Sequence, residues 1–467
     1  MSGLEVELKF LIDPADWPKI MAALPEGDSE TRTLSATYFD TPGRHLQARG
    51  LTLRLRESAG VVTQTVKRGI GPVRTEVEGL CPDGKLDLSW AILEDALGCS
   101  NGAAPSPIFT VVANRQVRVV SLGETEIEVA FDLGVISAGS LQDRVQELEL
   151  ELLSGHPGDL FRLAAILSQA APLWLSLQQK AGRGYRLASG LDAHQALSAR
   201  PVVLDRRMRL KSAWQAVALA AMDQILTNGA LLRQDGGPTA LHQFRVGLRR
   251  YKAARATFRD ALKAGPQQPW PEVFSALSTL CGEARDLDVL MAQGNPPPVL
   301  IAACTKAHES VRAAVSSPEF RHLTLAMMEG LVCSDPADPA TDDHGLRHHA
   351  RRILARRRRR LEAVGGDISD LDDAARHDLR IDAKTLRYAA ESFAGLFGEP
   401  VTQRYIRRLT HLQDALGLLN DRAEGERLSR SLGLDAPGTE ATAHRRAQEI
   451  EQAQAAWKRL RSTPGFW

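Results

Sequence analysis

Cysteine is scarce in this 467-residue chain. Its five copies, Cys81, Cys99, Cys281, Cys304 and Cys333, form no close pair and no metal-type spacing. A disulfide framework is thereby excluded, and a reduced, cytoplasmic protein with unpaired thiols is expected. No apolar run reaches the length that spans a bilayer, and Met1–Phe10 carries acids where a secretory signal carries bases, so no membrane segment is expected. Aromatic residues make up only 5% and are not interleaved with the basic stripes described below, which disfavours stacking of nucleic-acid bases.

What is present is ordinary in bulk and uneven in detail. Hydrophobic content of 43% and charged content of 25% suit a globular protein, and the length allows two or three domains. The net charge of +1 conceals two halves of opposite sign. Residues 1–190 hold 18 Lys and Arg against 24 Asp and Glu, whereas the remainder holds 40 against 33 and ten of the twelve histidines. Such asymmetry points to two domains with different ligands.

The halves also differ in periodicity. Up to about Leu187 apolar residues alternate, in Leu51–Glu57, Val62–Lys67, Val73–Glu78, Thr125–Asp132 and Gln146–Leu153, with helical patterns only at Pro14–Leu24 and Asp159–Gln169. This predicts an antiparallel sheet or barrel with a few helices. After a break around Ser189–Pro201, Ala-rich segments of helical period run from Lys211 to Leu460. Domains of 1–190 and 206–467 are expected, joined by a linker at 191–205.

Side chains two apart on a strand share a face. The period-two rule therefore collects Glu5, Glu7 and Lys9; Arg54 and Arg56; Thr63, Thr65 and Lys67; Arg74, Glu76 and Glu78; Glu126, Glu128 and Asp132; and Glu147, Glu149 and Glu151. One such strand is ordinarily a solvated face over an apolar core. Six are better explained by a shared interior in which acids hold a cation and bases hold a polyanion.

The opening Glu5-Val-Glu-Leu-Lys9, Tyr38-Phe-Asp-Thr-Pro42, Leu53-Arg-Leu-Arg56, Thr65-Val-Lys67, the Glu147–Glu151 run and Lys180-Ala-Gly-Arg-Gly-Tyr185 occur in an order that resembles the CYTH domain, the triphosphate tunnel metalloenzymes. The resemblance implies an eight-stranded antiparallel tunnel that binds triphosphate with Mg²⁺ or Mn²⁺ and hydrolyses a phosphoanhydride. Carried over by position, Glu5, Glu7, Glu126, Glu128, Asp132, Glu147, Glu149 and Glu151 are the metal-site carboxylates. Lys9, Arg54, Arg56, Lys67, Arg74, Arg115 and Lys180 are the phosphate ligands, and Glu5, Glu7, Lys9 and Lys67 the catalytic set. Arg suits this role because its planar fork contacts two oxygens at once. Glu5, Glu7, Glu149 and Glu151 all stand as candidates for the general base. Arg118 would face away from Arg115 on a regular strand.

The second half contains an internal repeat. His242-Gln-Phe-Arg245-Val-Gly-Leu-Arg249 matches His377-Asp-Leu-Arg380-Ile-Asp-Ala-Lys384 at an offset of 135 residues, and the same offset takes Phe258 to Phe393, Gly282 to Gly417, Arg285 to Asn420 and Asp286 to Asp421. His242, Arg245, Arg249 and Lys252 fall on one helical stripe, as do His377, Arg380, Lys384 and Arg387. Two such stripes across a pseudo-twofold form a basic groove for a long polyanion. Glu283–Asp288 and Leu419–Asp421 supply acids to hold the arginines. A metal site from the paired histidines and Asp288 is disfavoured by the adjacent arginines. The five arginines at 356–360 either add polyanion affinity or coat a helix.

These motifs resemble the CHAD domain, a helical module often found behind CYTH. The resemblance implies binding of inorganic polyphosphate and, in some members, residence at polyphosphate granules. The fold class expected is thus α+β, a tunnel with flanking helices followed by an all-α bundle of two pseudo-symmetric helical repeats. The leading function is metal-dependent inorganic triphosphatase activity with polyphosphate binding. The alternatives are a non-catalytic polyphosphate-binding protein, a thiamine triphosphatase and a CYTH-type adenylate cyclase, the last lacking any sign of a nucleobase pocket. Oligomeric state stays open at this level.

Overall fold

The computed structural model describes residues 2–69, 71–100, 102–192, 194–259, 271–292, 294–333, 345–434 and 440–467. The chain divides into two compact units, Met1–Ala196 with Ser317–Ser334, and Leu197–Ser316 with Asp335–Trp467.

The first unit is a closed antiparallel barrel. Its strands are β1 (Ser2–Leu11), β2 (Ser29–Asp40), β3 (Leu51–Ser58), β4 (Val61–Arg68), β5 (Val73–Leu80), β6 (Ser106–Leu122), β7 (Thr125–Ala138) and β8 (Leu141–Ser154). They run in the order β5-β4-β3-β2-β6-β7-β8-β1, and β1 pairs with β5 to complete the ring. A two-residue β9 (Trp174–Leu175) extends β1. The eight-stranded expectation is met, and closure leaves no long edge to protect. The register sets opposite charges side by side, Glu5 across from Arg74, Lys9 from Glu149, Lys67 from Glu76 and Arg115 from Asp132.

Because the charged face turns inward, the apolar face needs an outer coat. Helices α1 (Trp17–Ala23), α2 (His45–Ala48), α3 (Ala91–Leu97) and α4 (Gly158–Ala170) provide it. Trp17 stacks on Phe131 at 4.5 Å, and Leu46 and Leu93 cover Leu51, Leu53 and Val66. Helix α5 (Lys180–Ala188) seats against β6, β7 and β8. Gly184 permits that approach, since a Cβ there would meet the Phe109 ring at 2.2 Å. This contact fixes Lys180, the first residue of α5.

The second unit contains helices α6 (Leu210–Arg233), α7 (Gly237–Thr257), α8 (Pro271–Met291) and α9 (Pro298–Ser316), then α11 (Gly345–Glu362), α12 (Asp373–Phe393), α13 (Glu399–Ser431) and α14 (Glu440–Arg461). The 135-residue offset carries α6, α7 and α8 onto α11, α12 and α13, and α9 and α14 follow in the same order. Equivalent helices meet, α7 on α12 and α8 on α13, as a pseudo-twofold requires. Helix α10 (Pro318–Val332) lies between the repeats in sequence but packs on α4 and β9 of the first unit. Ser317 caps it, and Arg321 lies 4.9 Å over the Trp174 ring. Among the described residues no helix is long and apolar enough to cross a membrane.

Candidate functional site

The barrel encloses a cavity of about 440 Å³ lined by eight basic and eight acidic side chains. Thirteen of the fifteen tunnel residues expected from sequence line it: Glu5, Glu7, Lys9, Arg54, Arg56, Lys67, Arg74, Arg115, Glu128, Asp132, Glu149, Glu151 and Lys180. Two lie elsewhere. A register shift between Glu126 and Ile127 leaves Glu126 exposed and off the cavity wall. Glu147 is fully buried beside the cavity, held by Lys9 at 3.2 Å and by Lys180 and Arg183 at 2.8 Å.

Sequence reasoning missed Arg32 as a site residue, although it shares strand parity with Tyr38 and lines the cavity. It also missed Arg183, inside the Lys180–Tyr185 motif, whose guanidinium ties Asp143 to Glu147. Arg118 faces the opposite way from Arg115, with its guanidinium on the carbonyls of Met21 and Pro25.

Acids and bases are arranged in distinct clusters. Arg115 donates to Asp132 through two bonds of 2.7 Å and to Glu149, while Lys180 reaches Asp132, Glu147 and Glu149 at 2.8, 2.8 and 2.6 Å. Burial opposes ionisation of Glu149, but Lys180, Lys9 and Arg115 outweigh it and hold the carboxyl well below its ordinary range. Burial likewise opposes the charge on Lys180, yet Glu147, Glu149 and Asp132 hold the ammonium well above its ordinary value. This cluster is fixed and ionised.

Next to it on β1, β4 and β5, Lys67 lies 2.8 Å from Glu5, and Arg74 bonds both Glu5 and Glu7. Glu151 is different. Burial, then the negative charges of Glu5, Glu7 and Glu128, push its carboxyl up to about 7 despite Lys67. One carboxylate oxygen from each of Glu5, Glu7 and Glu151 falls within 4.8 Å of the others. Three convergent carboxylates fit a hard divalent cation. Among the described residues Arg54 makes no close ion pair; it donates to the Tyr38 hydroxyl at 3.4 Å, and its Nε is buried without a hydrogen bond. An anion would supply what Arg54 lacks.

The helical unit gathers its own cations. Arg245 faces Asp286 at 3.9 Å and Arg380 faces Asp421 at 3.5 Å, two ion pairs related by the repeat offset. Beneath each guanidinium sits the equivalent glycine, Gly282 or Gly417, where a Cβ would come within 3.8 Å of it. His377 Nδ1 is 2.6 Å from Asn420 Oδ1, whereas His242 lies in the field of Arg285. Arg249 and Lys384 have no hydrogen bond or ion pair among the described residues. Burial, then Arg380, Arg249 and Arg245, depress the Lys384 ammonium to about 6. The two stripes are thus brought together across α7 and α12.

Their last members diverge. Lys252 is exposed, while Arg387 is tied to Gln413 at 2.8 Å and Glu391 at 2.7 Å and covers the Tyr388 ring. The arginine run on α11 is partly structural, since Arg357 bonds Thr257, Arg358 bonds Glu362 and Arg360 bonds Asp382.

The CYTH domain family matches residues 3–185, and the CHAD domain family matches residues 216–429. The chain is a CYTH domain followed by a CHAD domain. An inorganic triphosphatase of Haemophilus influenzae is 32% identical over 198 residues, 40% of this chain and 55% of that protein. The chain thus spans about half the length of the curated relative it matches. Among solved structures, the CHAD domain of the plant Ricinus communis is 28% identical, covering 59% of this chain and all of that one, with a TM-score of 0.47. The PH1819 protein of Pyrococcus horikoshii is 21% identical over 38% of this chain and 96% of its own, with a TM-score of 0.27. The CYTH match coincides with the barrel, and the CHAD match takes in both basic stripes.

Proposed function

We propose that the CYTH domain hydrolyses inorganic triphosphate to diphosphate and phosphate with a divalent cation, and that the CHAD domain binds inorganic polyphosphate. The observation that carries the catalytic reading is the cavity, with a cation-ready trio of Glu5, Glu7 and Glu151 beside Arg54 and Arg32, whose buried Nε atoms make no hydrogen bond. Those three carboxylates would hold the cation, Mg²⁺ or Mn²⁺, which when bound neutralises charge on the phosphate oxygens. Arg54 and Arg32, each with a buried Nε that makes no hydrogen bond, receive phosphoryl oxygens. Arg56, Lys67, Arg115 and Lys180 surround the chain of phosphates and stabilise the charge that spreads over the transferred group. A water held by a cavity carboxylate attacks the terminal phosphorus in line, and the bridging P–O bond breaks. The H. influenzae relative supports this reading for the matched segment.

Arg249 and Lys384, without an ion pair among the described residues, support polyphosphate binding by the helical unit. Like charges are costly to gather unless a polyanion compensates them. The low aromatic content favours phosphate chains over nucleic acid. We place the whole chain in the cytoplasm, at polyphosphate granules where these form.

Phosphate release from triphosphate by the full chain with Mg²⁺ or Mn²⁺, beside thiamine triphosphate and ATP, tests the first part. Release no greater than that of Glu7→Ala would refute it. For the second, labelled polyphosphate bound to the full chain is challenged with unlabelled polyphosphate or RNA; equal displacement by RNA would remove the stated specificity.

A further inference from the structure

A second cluster of potential metal ligands lies apart from the tunnel, in the helical unit. Cys304 and His308 are one turn apart on α9, and Asp288 projects from α8 between them. His308 Nε2 is 2.7 Å and Cys304 Sγ 3.6 Å from the same carboxylate oxygen, Asp288 Oδ1. One ligand atom from each of the three falls within 4.8 Å of the others. Asp288 is 7% exposed, and its other oxygen, Oδ2, is buried without a hydrogen bond; the nearest cation, Arg285 Nη1, stands 4.0 Å away. Cys304 packs against Leu287, Leu300 and Leu428, and both Cys304 and His308 are partly buried. The cysteine spacings gave no hint of this, because the third ligand comes from another helix.

We propose that Asp288, Cys304 and His308 form a binding site for a zinc-class divalent ion, with three protein ligands and one open position. Sulfur, imidazole nitrogen and carboxylate oxygen together select a borderline-soft metal over Mg²⁺. Tetrahedral zinc with ligands at about 2.0–2.3 Å sets sulfur–oxygen edges near 3.5 Å and nitrogen–oxygen edges near 3.3 Å. The cysteine–aspartate separation already matches, and the histidine must open by about half an ångström as its hydrogen bond gives way to the metal. The thiol proton leaves to solvent as the sulfur–metal bond forms.

In the second repeat Ala423 stands at the position of Asp288, and α13 and α14 are joined instead by a two-bond ion pair between Arg422 and Glu449. In the first repeat a metal would take the place of that clamp.

The test uses the full chain and Zn²⁺ or Co²⁺ as the probe. One equivalent of Zn²⁺ should slow alkylation of Cys304 at least tenfold by mass spectrometry, with the exposed Cys99 as the unaffected internal standard. Co²⁺ should give tetrahedral d–d bands and a thiolate-to-cobalt charge-transfer band. That band should vanish in Cys304→Ser, weaken in His308→Gln and persist in Glu5→Gln, whose site offers no sulfur. Unchanged alkylation of Cys304 in the wild-type chain overturns the proposal and needs no variant to fold. So does a charge-transfer band that survives Cys304→Ser.

Discussion

The tunnel and the groove both collect cations, but they compensate them differently. In the barrel, eight basic groups face eight carboxylates, and most of the charge is paired before any ligand arrives. In the helical unit, Arg245, Arg249, Arg380 and Lys384 face one another with, among the described residues, Asp286 and Asp421 in opposition. A balanced cavity suits a metal–anion complex whose two halves replace internal partners. An unbalanced groove suits an anion alone. On the function proposed above, the difference separates a site that transforms a small ligand from one that retains a long one.

The contrast is broken most severely by removing tunnel charges. Lys67→Ala, or Glu5 and Glu7 both changed to Ala, should lower triphosphate turnover by about 100-fold or more, the usual cost of losing a preorganised charge at a transferred group. Polyphosphate binding should be unchanged, and a parallel loss of binding would mean the two sites are not separate. Next comes Glu147→Ala, which strips a buried carboxylate from Lys9, Lys180 and Arg183. Breaking a buried ionic cluster on one side costs about 3–5 kcal/mol, readable as a lower urea midpoint. Were the midpoint unmoved, the cluster would be carrying no structural weight.

Smaller effects belong to the groove. Arg249→Ala or Lys384→Met should each weaken polyphosphate binding by about 1.5 kcal/mol, roughly tenfold, and flatten its salt dependence. Lys252→Ala, at the exposed end of its stripe, should do much less. Equal losses at all three positions would favour diffuse surface charge over a defined groove. The subtlest prediction concerns protons. Lys384 faces Arg380, Arg249, Arg245 and Asp421, and its free-state value near 6 leaves it largely neutral at pH 7. A bound polyanion raises that value, so binding takes up a proton at neutral pH. Affinity should strengthen from pH 8 towards 6 and level off below. Calorimetry in two buffers of different ionisation enthalpy reads the uptake, and Lys384→Met should reduce it, leaving the share of His242, whose imidazole burial and Arg285 also depress.

Much of the tunnel was legible because a closed barrel turns one strand face inward, so parity gathers most of the charges. Legibility failed where parity was blurred. On β6 both faces carry apolar groups, and Val112 and Val119 remain about half exposed, so alternation around Arg115 was faint. On β2 the outer Thr31, Thr33, Ser35 and Thr37 gave little polar contrast to Arg32 and Tyr38. The shift at Glu126 is a backbone event that composition does not announce. In the helical unit the offset showed which positions correspond but not how each is used, as Lys252 and Arg387 demonstrate. The pairing of Asp288 with His308, and with neither histidine of the stripes, depends on how α8 meets α9.

Helix α10 has a practical corollary. It is spelled within the helical half, yet Phe320, Leu323 and Met327 are among the residues it buries as it packs on α4 and β9. Scissors applied between residues 190 and 206 would therefore not release two modules. One product would lack part of its coat, and the other would trail a sticky helix stripped of its seat. Dissecting this protein calls for point changes in the whole chain, or for a graft that carries α10 along with the barrel.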